Sequence, residues 1–379
     1  MAAQNPPSLG KVMVIGGCGF LGHHVVNLLV RDYLPKKEAT GVSVVDLRCD
    51  RNRQPDATGV QYYEADITNT ERMTAVLKEA KPDVVVHTAS PAAQSSTRVA
   101  DALFYKVNVE GTRTVIEACK ATGVRCLVYT SSASIISDNV SDLINADERW
   151  PVIRGKAQTE YYSETKAAAE ELVLAANDRT SKSGLLTAAI RPSGINGEGD
   201  TMATYHMINV FRDGKHNIQI GDNTNMFDFT YVENVAHAHL LAARALRATA
   251  AASTAPLDHE RVDGEAFFIT NDCPIYFWDF TRTVWKYAGN KDGLNKVWVL
   301  PREVGMVLGL ASEIVCSILR KPPTFNRQRI VYTCMTRYYD ISKAKRLLGY
   351  EPIVSLEEGV RRGVAWFQEQ ERQKAATAQ

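Results

Sequence analysis

The sequence predicts an α/β protein: a doubly wound parallel sheet with helices on both faces, joined to a smaller, mostly C-terminal substrate-binding region. Three observations predict it. Strand-like and helix-like segments alternate through the first half of the chain, as in a parallel sheet linked by crossover helices. The first apolar run, Val12-Met13-Val14-Ile15, passes into Gly16-Gly17-Cys18-Gly19-Phe20-Leu21-Gly22, with Gly16, Gly19 and Gly22 three apart. The second run, residues 42–45, ends in Asp46, 24 residues beyond Gly22.

Each element follows from these patterns. The glycine segment reads as a strand, a tight turn and a helix N-terminus, with the helix expected over His23 to Tyr33. Free backbone N–H groups and the positive end of a helix dipole make such a junction an anion site. Gly16 suits the tight turn, Gly19 admits a pyrophosphate to the backbone, and Gly22 lets helix and strand pack closely. Three glycines alone can mark an ordinary turn, but a second strand ending in an acid points to a dinucleotide. Asp46 is placed to accept hydrogen bonds from an adenosine ribose and repels a 2′-phosphate, so NAD is the expected cofactor. Arg48, two residues on, keeps NADP open.

Further strands are expected at 62–66, 83–87, 126–130 and 186–190, and helices at 69–80, within 102–122 and at 160–177. Right-handed crossovers then bring the strand C-termini to one ligand-binding edge. After Arg191-Pro192 the rhythm is irregular. Short strands are expected at 217–220, 227–232 and 266–269, and helices at 233–246, 277–287 and 341–348. The boundaries that follow are a flexible lead over 1–10, a nucleotide-binding unit over 11–190, a substrate-binding region over 191–367 and a polar, fraying tail over 368–379. The Ala/Thr/Ser stretch 248–256 reads as a surface loop.

Composition narrows the function classes. The 379 residues are 45% hydrophobic and 23% charged, with a net charge of +1, which suits a globular protein and argues against general nucleic-acid binding. Seven scattered cysteines without a C-x-x-C pair suggest a reducing compartment, with neither a disulfide framework nor zinc. No metal-ligand spacing is seen. The N-terminus lacks the apolar core of a secretory signal.

The reacting residues are expected on the ligand edge. Tyr162 and Lys166 are four apart and share one helix face. An ammonium beside a phenol stabilises phenolate and lowers the tyrosine pKa, so Tyr162 can take a hydroxyl proton while hydride leaves for nicotinamide. Lys166 can also bond the nicotinamide ribose. Thr130-Ser131-Ser132 ends the 126–130 strand, where a serine hydroxyl can orient the substrate oxygen. Tyr161 has Thr165, not lysine, four residues on. Asp66-Ile67-Thr68 follows the third strand, where Asp66 can bond the adenine amino group; helix capping by Asp66 or Thr68 is the equal alternative. His87 reads as a hydrogen-bonded strand-end histidine rather than a catalyst.

G-x-x-G-x-x-G, Asp46, Asp66-Ile67-Thr68, Tyr129-Thr130-Ser131-Ser132, Y-x-x-x-K and Arg191-Pro192 together resemble an extended short-chain dehydrogenase/reductase from about residue 10 to about 367. Within it the chain resembles the 3β-hydroxysteroid dehydrogenase family. The segments Gly16 to His24 and Phe227 to Val235 look most like the fungal sterol-4α-carboxylate 3-dehydrogenase branch. The resemblance implies a Rossmann-type fold, NAD, Tyr162 as acid/base, Lys166 as its activator and Ser132, rather than Ser131, as the orienting hydroxyl. It also implies Gly16, Gly19, Phe20, Leu21, Gly22, Asp46, Asp66 and Ile67 as cofactor contacts. Where many members carry a small or polar residue after Val232, this chain has Glu233.

The activity implied is oxidation of a 3β-hydroxyl on a 4α-carboxysterol, with loss of CO2. A 3β-hydroxysteroid dehydrogenase/isomerase, a triterpenoid-tailoring dehydrogenase, a nucleotide-sugar epimerase and a non-catalytic NAD-binding protein are the alternatives. Arg191 and Arg212 are candidates for the substrate carboxylate. Residues 304–319 form a 16-residue, nearly all-apolar run flanked by Arg302 and Arg320-Lys321. That is short for a membrane span, and Glu313 interrupts it. A buried or pocket-covering helix is the first expectation and a helix in the membrane interface the second. The family setting implies a sterol-like substrate, a homodimer or sterol-demethylation complex, and the cytosolic face of the endoplasmic reticulum or the cytoplasm.

Overall fold

A computed structural model of the chain describes residues 7–91, 98–295, 297–319, 321, 323 and 325–377. Seven parallel strands form the central sheet: β1 (Lys11–Ile15), β2 (Gly41–Asp46), β3 (Gln61–Glu64), β4 (Val84–His87), β5 (Cys126–Thr130), β6 (Leu186–Pro192) and β7 (Glu265–Ile269). Their spatial order is β7-β6-β5-β4-β1-β2-β3. The chain reverses direction across the sheet between β1 and β4, which opens a crevice at their C-terminal ends. Register aligns Ile15 with His87, His87 with Tyr129 and Tyr129 with Ala189. Gly16, Thr88, Thr130 and Ile190 therefore emerge side by side.

Both sheet faces are apolar because both are covered. One face packs Val12, Val14, Val44, Val84, Val86 and Val128 under helix α1 (Phe20–Leu28). The other packs Met13, Ile15, Val85 and Leu127 under α2 (Thr70–Ala80) and α3 (Thr112–Thr122). Helix α4 (Tyr161–Ala175) runs beside α3 and delivers the Y-x-x-x-K face. A third core of Phe227, Phe229, Phe277, Phe280 and Trp285 holds the C-terminal lobe together.

Several elements differ from the sequence expectation. The strand expected at 266–269 forms as β7, but it joins the central sheet as its seventh strand, pairing with β6 from Glu265–Ala188 to Ile269–Pro192. Helix α5 (Val232–Ala251), also from the irregular half of the chain, packs against α1, β5 and β6. It continues through the first residues of the expected 248–256 loop, because alanine favours helix. Helix α6 (Phe277–Ala288) matches its expectation closely. The expected fraying tail is instead helical to Thr377, where helix α8 (Leu356–Thr377) ends; Phe367 is buried and Glu371 pairs with Arg212. Residues 378–379 lie outside the described residues.

In the expected lead, Leu9 is fully buried and its amide donates to the Glu38 carbonyl, while residues 1–6 lie outside the described residues. Glu233 is buried and pairs with Arg31 and Arg362, so this larger residue ties α5 to the turn Leu29–Tyr33 that continues α1 and to α8. Helix α7 (Arg302–Ile318) corrects the expectation of a buried helix over 304–319. Only its Gly305 and Gly309 are buried, and Val304, Val307, Leu308, Ile314, Val315 and Ile318 are exposed. Its glycine side packs against the helix Arg327–Cys334, since a Cβ on Gly309 would meet Ile330 Cδ1 at 2.9 Å. Among the described residues no helix is long and apolar enough to cross a membrane.

Candidate active site

The dinucleotide end of the crevice is built from backbone. Gly16 sits at φ +84°, a conformation that side chains disfavour, and a Cβ there would lie 2.7 Å from the Ala89 nitrogen. A Cβ on Gly22 would lie 2.1 Å from the Gly16 carbonyl oxygen, so glycine is needed for helix and strand to touch. Gly19 differs: a Cβ there would meet one protein atom, the Gly16 oxygen at 3.1 Å. The space above Gly19 is open, as a pyrophosphate approach requires. Helix α1 begins there with no side-chain cap and no acidic residue in its first turn. The first-turn N–H groups at Phe20 and Leu21 thus point to an anion site. These residues fit a dinucleotide cofactor.

Asp46 stands at the end of β2. Its Oδ2 accepts from the Cys18 amide at 3.0 Å and its Oδ1 from the Leu47 amide at 2.8 Å. The carboxylate is thereby turned onto the glycine loop. Asp66 is exposed and accepts from the Thr68 amide (2.9 Å) and hydroxyl (2.8 Å), which hold its pKa below the usual carboxylate value. It does not cap α2; the cap is Asn69, whose Oδ1 accepts from the Arg72 amide at 2.9 Å. Ile67 is buried against Gly111, where a Cβ would come within 2.6 Å of Ile67 Cδ1.

The reacting end gathers four side chains from three elements. Tyr162, in the first turn of α4, lies beside Ser132, two residues past β5, and beside Ser90, which follows β4. Ser132 Oγ accepts from the Ser134 amide at 3.1 Å and shares a 2.8 Å hydrogen bond with Ser134 Oγ. Ser131, in contrast, is buried with its hydroxyl unpartnered among the described residues. Lys166 is fully buried one turn along α4, donates to the Thr130 carbonyl and lies 4.5 Å from the Tyr129 ring centre.

Electrostatics differ from the simple sequence argument. Burial pushes the Tyr162 phenol up to about 12, the Glu160 charge adds to that, and the Ser90 and Ser132 hydroxyls oppose it. Burial also lowers Lys166 to about 7. The lysine is directed to the Thr130 carbonyl, so in this structure desolvation outweighs its stabilisation of phenolate. His87 is fully buried, bonds Thr112 Oγ1 at 3.1 Å and is lowered to about 3 by desolvation, which keeps it neutral. Tyr161 is exposed on the outer side of α4.

One buried group had no local motif. Thr130 Oγ1 bonds His239 Nε2 at 2.7 Å, and His239 Nδ1 bonds the Val235 carbonyl at 2.8 Å. The carbonyl fixes the ring proton on Nδ1, so Thr130 is the donor to Nε2. Helix α5 thereby braces the residue that receives Lys166. Arg191 is not available to a substrate: it is buried and forks onto Glu170, with Nε–Oε2 at 2.9 Å. Arg212 is taken by Glu371 on the surface. Among the described residues no cluster of His, Cys, Asp and Glu forms a metal site.

Residues 13–302 match the 3-beta hydroxysteroid dehydrogenase/isomerase family. The sterol-4-alpha-carboxylate 3-dehydrogenase, decarboxylating, of Saccharomyces cerevisiae is 42% identical over 363 residues, covering 95% of this chain and 99% of the yeast protein. The enzyme of that name from Mus musculus is 38% identical over 361 residues, covering 94% of this chain and 91% of its own. Among solved structures, UDP-glucose 4-epimerase of Thermotoga maritima superposes with a TM-score of 0.67 at 21% identity, covering 95% of this chain and 99% of the epimerase. That likeness establishes the Rossmann-like fold. Sequence and architecture together place the chain in the 3-beta hydroxysteroid dehydrogenase/isomerase family.

Proposed function

We infer that the protein is an NAD-dependent sterol-4α-carboxylate 3-dehydrogenase, decarboxylating. The observation that carries this reading is a near-full-length match to enzymes of that name, and the closeness of Ser132 to Tyr162 supports it. NAD, when bound, supplies the hydride acceptor. The glycine loop and the amides of Phe20 and Leu21 take its pyrophosphate, Asp46 its adenosine ribose, Asp66 and Ile67 its adenine side, and Lys166 its nicotinamide ribose. Ser132 Oγ–H orients the substrate C3 oxygen. Tyr162 Oη removes the hydroxyl proton as the C3 hydrogen departs with its electron pair, which leaves a 3-ketone.

That ketone is β to the C4 carboxylate. The C4–carboxylate bond breaks, CO2 leaves, and the bonding electrons pass to the ketone oxygen as an enolate, which is then protonated at C4. A hydroxyl positioned at the oxyanion lowers this barrier, so the chemistry asks for no metal. An NAD-reduction assay across 4α-carboxysterols, plain 3β-hydroxysterols and UDP-sugars tests the reading. Sustained NADH formation with the carboxysterols supports it, and turnover of only UDP-sugars contradicts it.

The setting belongs to the same reading. The exposed apolar face of α7, with Trp298 and Val299 beside it, suits a peripheral position on the cytosolic face of the endoplasmic reticulum, where a bilayer-dissolved sterol is reached. Glu313 does not oppose this, because it accepts from the Arg327 amide at 2.8 Å and Nε at 2.9 Å. Exposed Leu103, Tyr105 and Tyr161 on the outer helices suit a homodimer or a larger sterol-demethylation assembly.

A further inference from the structure

A 4α-carboxysterol brings a carboxylate next to the reacting carbon, and such a group in an apolar crevice needs a cationic partner. The two arginines singled out by sequence are occupied by Glu170 and Glu371. We propose that Arg337 receives the substrate carboxylate. This assignment rests on the dehydrogenase reading above.

Arg337 lies on the short strand Arg337–Tyr339, between Phe227 on one side and Leu143 on the other. It is only 7% exposed, yet no acidic side chain among the described residues is within ion-pair distance. The acid whose charge acts on it is Glu160, which is engaged elsewhere: it accepts from Gln328 Nε2 and Ser163 Oγ, each at 3.3 Å. Arg337 Nε donates to Tyr339 Oη at 2.8 Å. Its Nη1 and Nη2 bond no described residue, and neither is among the buried atoms sealed from solvent without a partner. Arg191 Nη1, by comparison, is sealed in this way. A buried guanidinium with a free, accessible fork is arranged for an incoming anion, because the fork matches a carboxylate bidentately.

The position also fits. Tyr339 Oη, which takes the Arg337 Nε–H, donates its own proton towards the Ala133 carbonyl at 3.5 Å. Ala133 follows Ser132 directly. Glu160, the residue flanking the other side, is the N-cap of α4, two residues before Tyr162. Arg337 thus stands between the serine strand and the tyrosine helix. The wall around it is aromatic: Tyr332 packs on Phe227 with ring centres 5.2 Å apart, and Tyr339 stacks on Phe268 at 4.8 Å. An apolar wall with one cation matches a sterol that carries one acid beside its reacting hydroxyl.

The test compares the full chain with Arg337→Met and Arg337→Lys on two substrates: a 4α-carboxy-3β-hydroxysterol and the same alcohol bearing a 4α-methyl group. The methyl alcohol is read as a substrate or as a competitive inhibitor. Arg337→Met is expected to lower kcat/KM for the acid by about 100-fold or more, mainly through KM. Its effect on the methyl alcohol stays within about threefold, and NADH affinity is unchanged. Arg337→Lys keeps the charge but not the fork, so it falls between the two and covers the case in which the methionine variant fails to fold. Equal losses on acid and methyl alcohol in either variant, or no loss on the acid, overturn the assignment while leaving the dehydrogenase reading intact. A wild-type chain that oxidises the methyl alcohol but not the acid overturns both.

Discussion

At the scale of single residues, the site is governed by burial of two titratable groups one helical turn apart. Lys166 sits at about 7 in the folded chain, against 10.5 when free. Below that window both folded and unfolded chains hold the proton, and the buried charge destabilises the fold in full. As pH rises through it the folded lysine loses its proton first, so this penalty is relieved. Lys166→Met is therefore expected to raise the thermal midpoint of the ligand-free protein more at pH 6 than at pH 10, as calorimetry at the two values will show. A wild-type-minus-variant difference that is independent of pH contradicts the burial argument. Tyr162 has the opposite sense, held at about 12 by burial. With the Tyr162 phenolate as the proposed base, kcat/KM for oxidation should rise with pH from about 6 to about 9.

At the scale of elements, the glycine turn and α7 carry separate expectations. Gly22→Ala puts a methyl 2.1 Å from the Gly16 oxygen, which forces α1 away from β1. Overpacking of this kind costs about 1–3 kcal/mol, and the anion site moves with the helix. The variant should lose both unfolding stability and NADH affinity, measured by denaturant titration and fluorescence; retention of both would show that the close contact is not needed. On α7, Val307→Asp with Ile318→Asp should reduce sedimentation with anionic phosphatidylcholine/phosphatidylserine vesicles. Both sites are exposed, so stability should change by less than about 0.5 kcal/mol each. Undiminished vesicle binding would remove α7 as the contact. Much at this scale was legible: residues 126–130 read as a strand and form one, because a short apolar run bounded by turn signals is a local pattern. The place of β7 in the central sheet and the exposure of α7 were not legible, since one depends on pairing with β6 and the other on which helix face finds a neighbour.

At the scale of the molecule, the sheet order brings Gly16, Ser132 and Tyr162 to one edge from segments far apart in sequence, and the motifs G-x-x-G-x-x-G and Y-x-x-x-K announced that convergence. The brace from His239 to Thr130 and the open fork of Arg337 had no motif. They exist only because the second half of the chain folds back onto the first, and a lone histidine or arginine in sequence carries no such information. Sedimentation equilibrium separates the proposed dimer from a monomer; a single species at monomer mass across concentrations would exclude the dimer. In the proposed reaction, oxidation by Tyr162 drives loss of the neighbouring carboxyl group. The most direct measurement follows NADH and labelled CO2 together, using a 4α-carboxysterol labelled in the carboxylate, for wild type and Tyr162→Phe. Wild type should give equal amounts of NADH and CO2, and the variant should fall by about 100-fold or more in both. CO2 released without NADH, or a phenylalanine variant as fast as wild type, would contradict it.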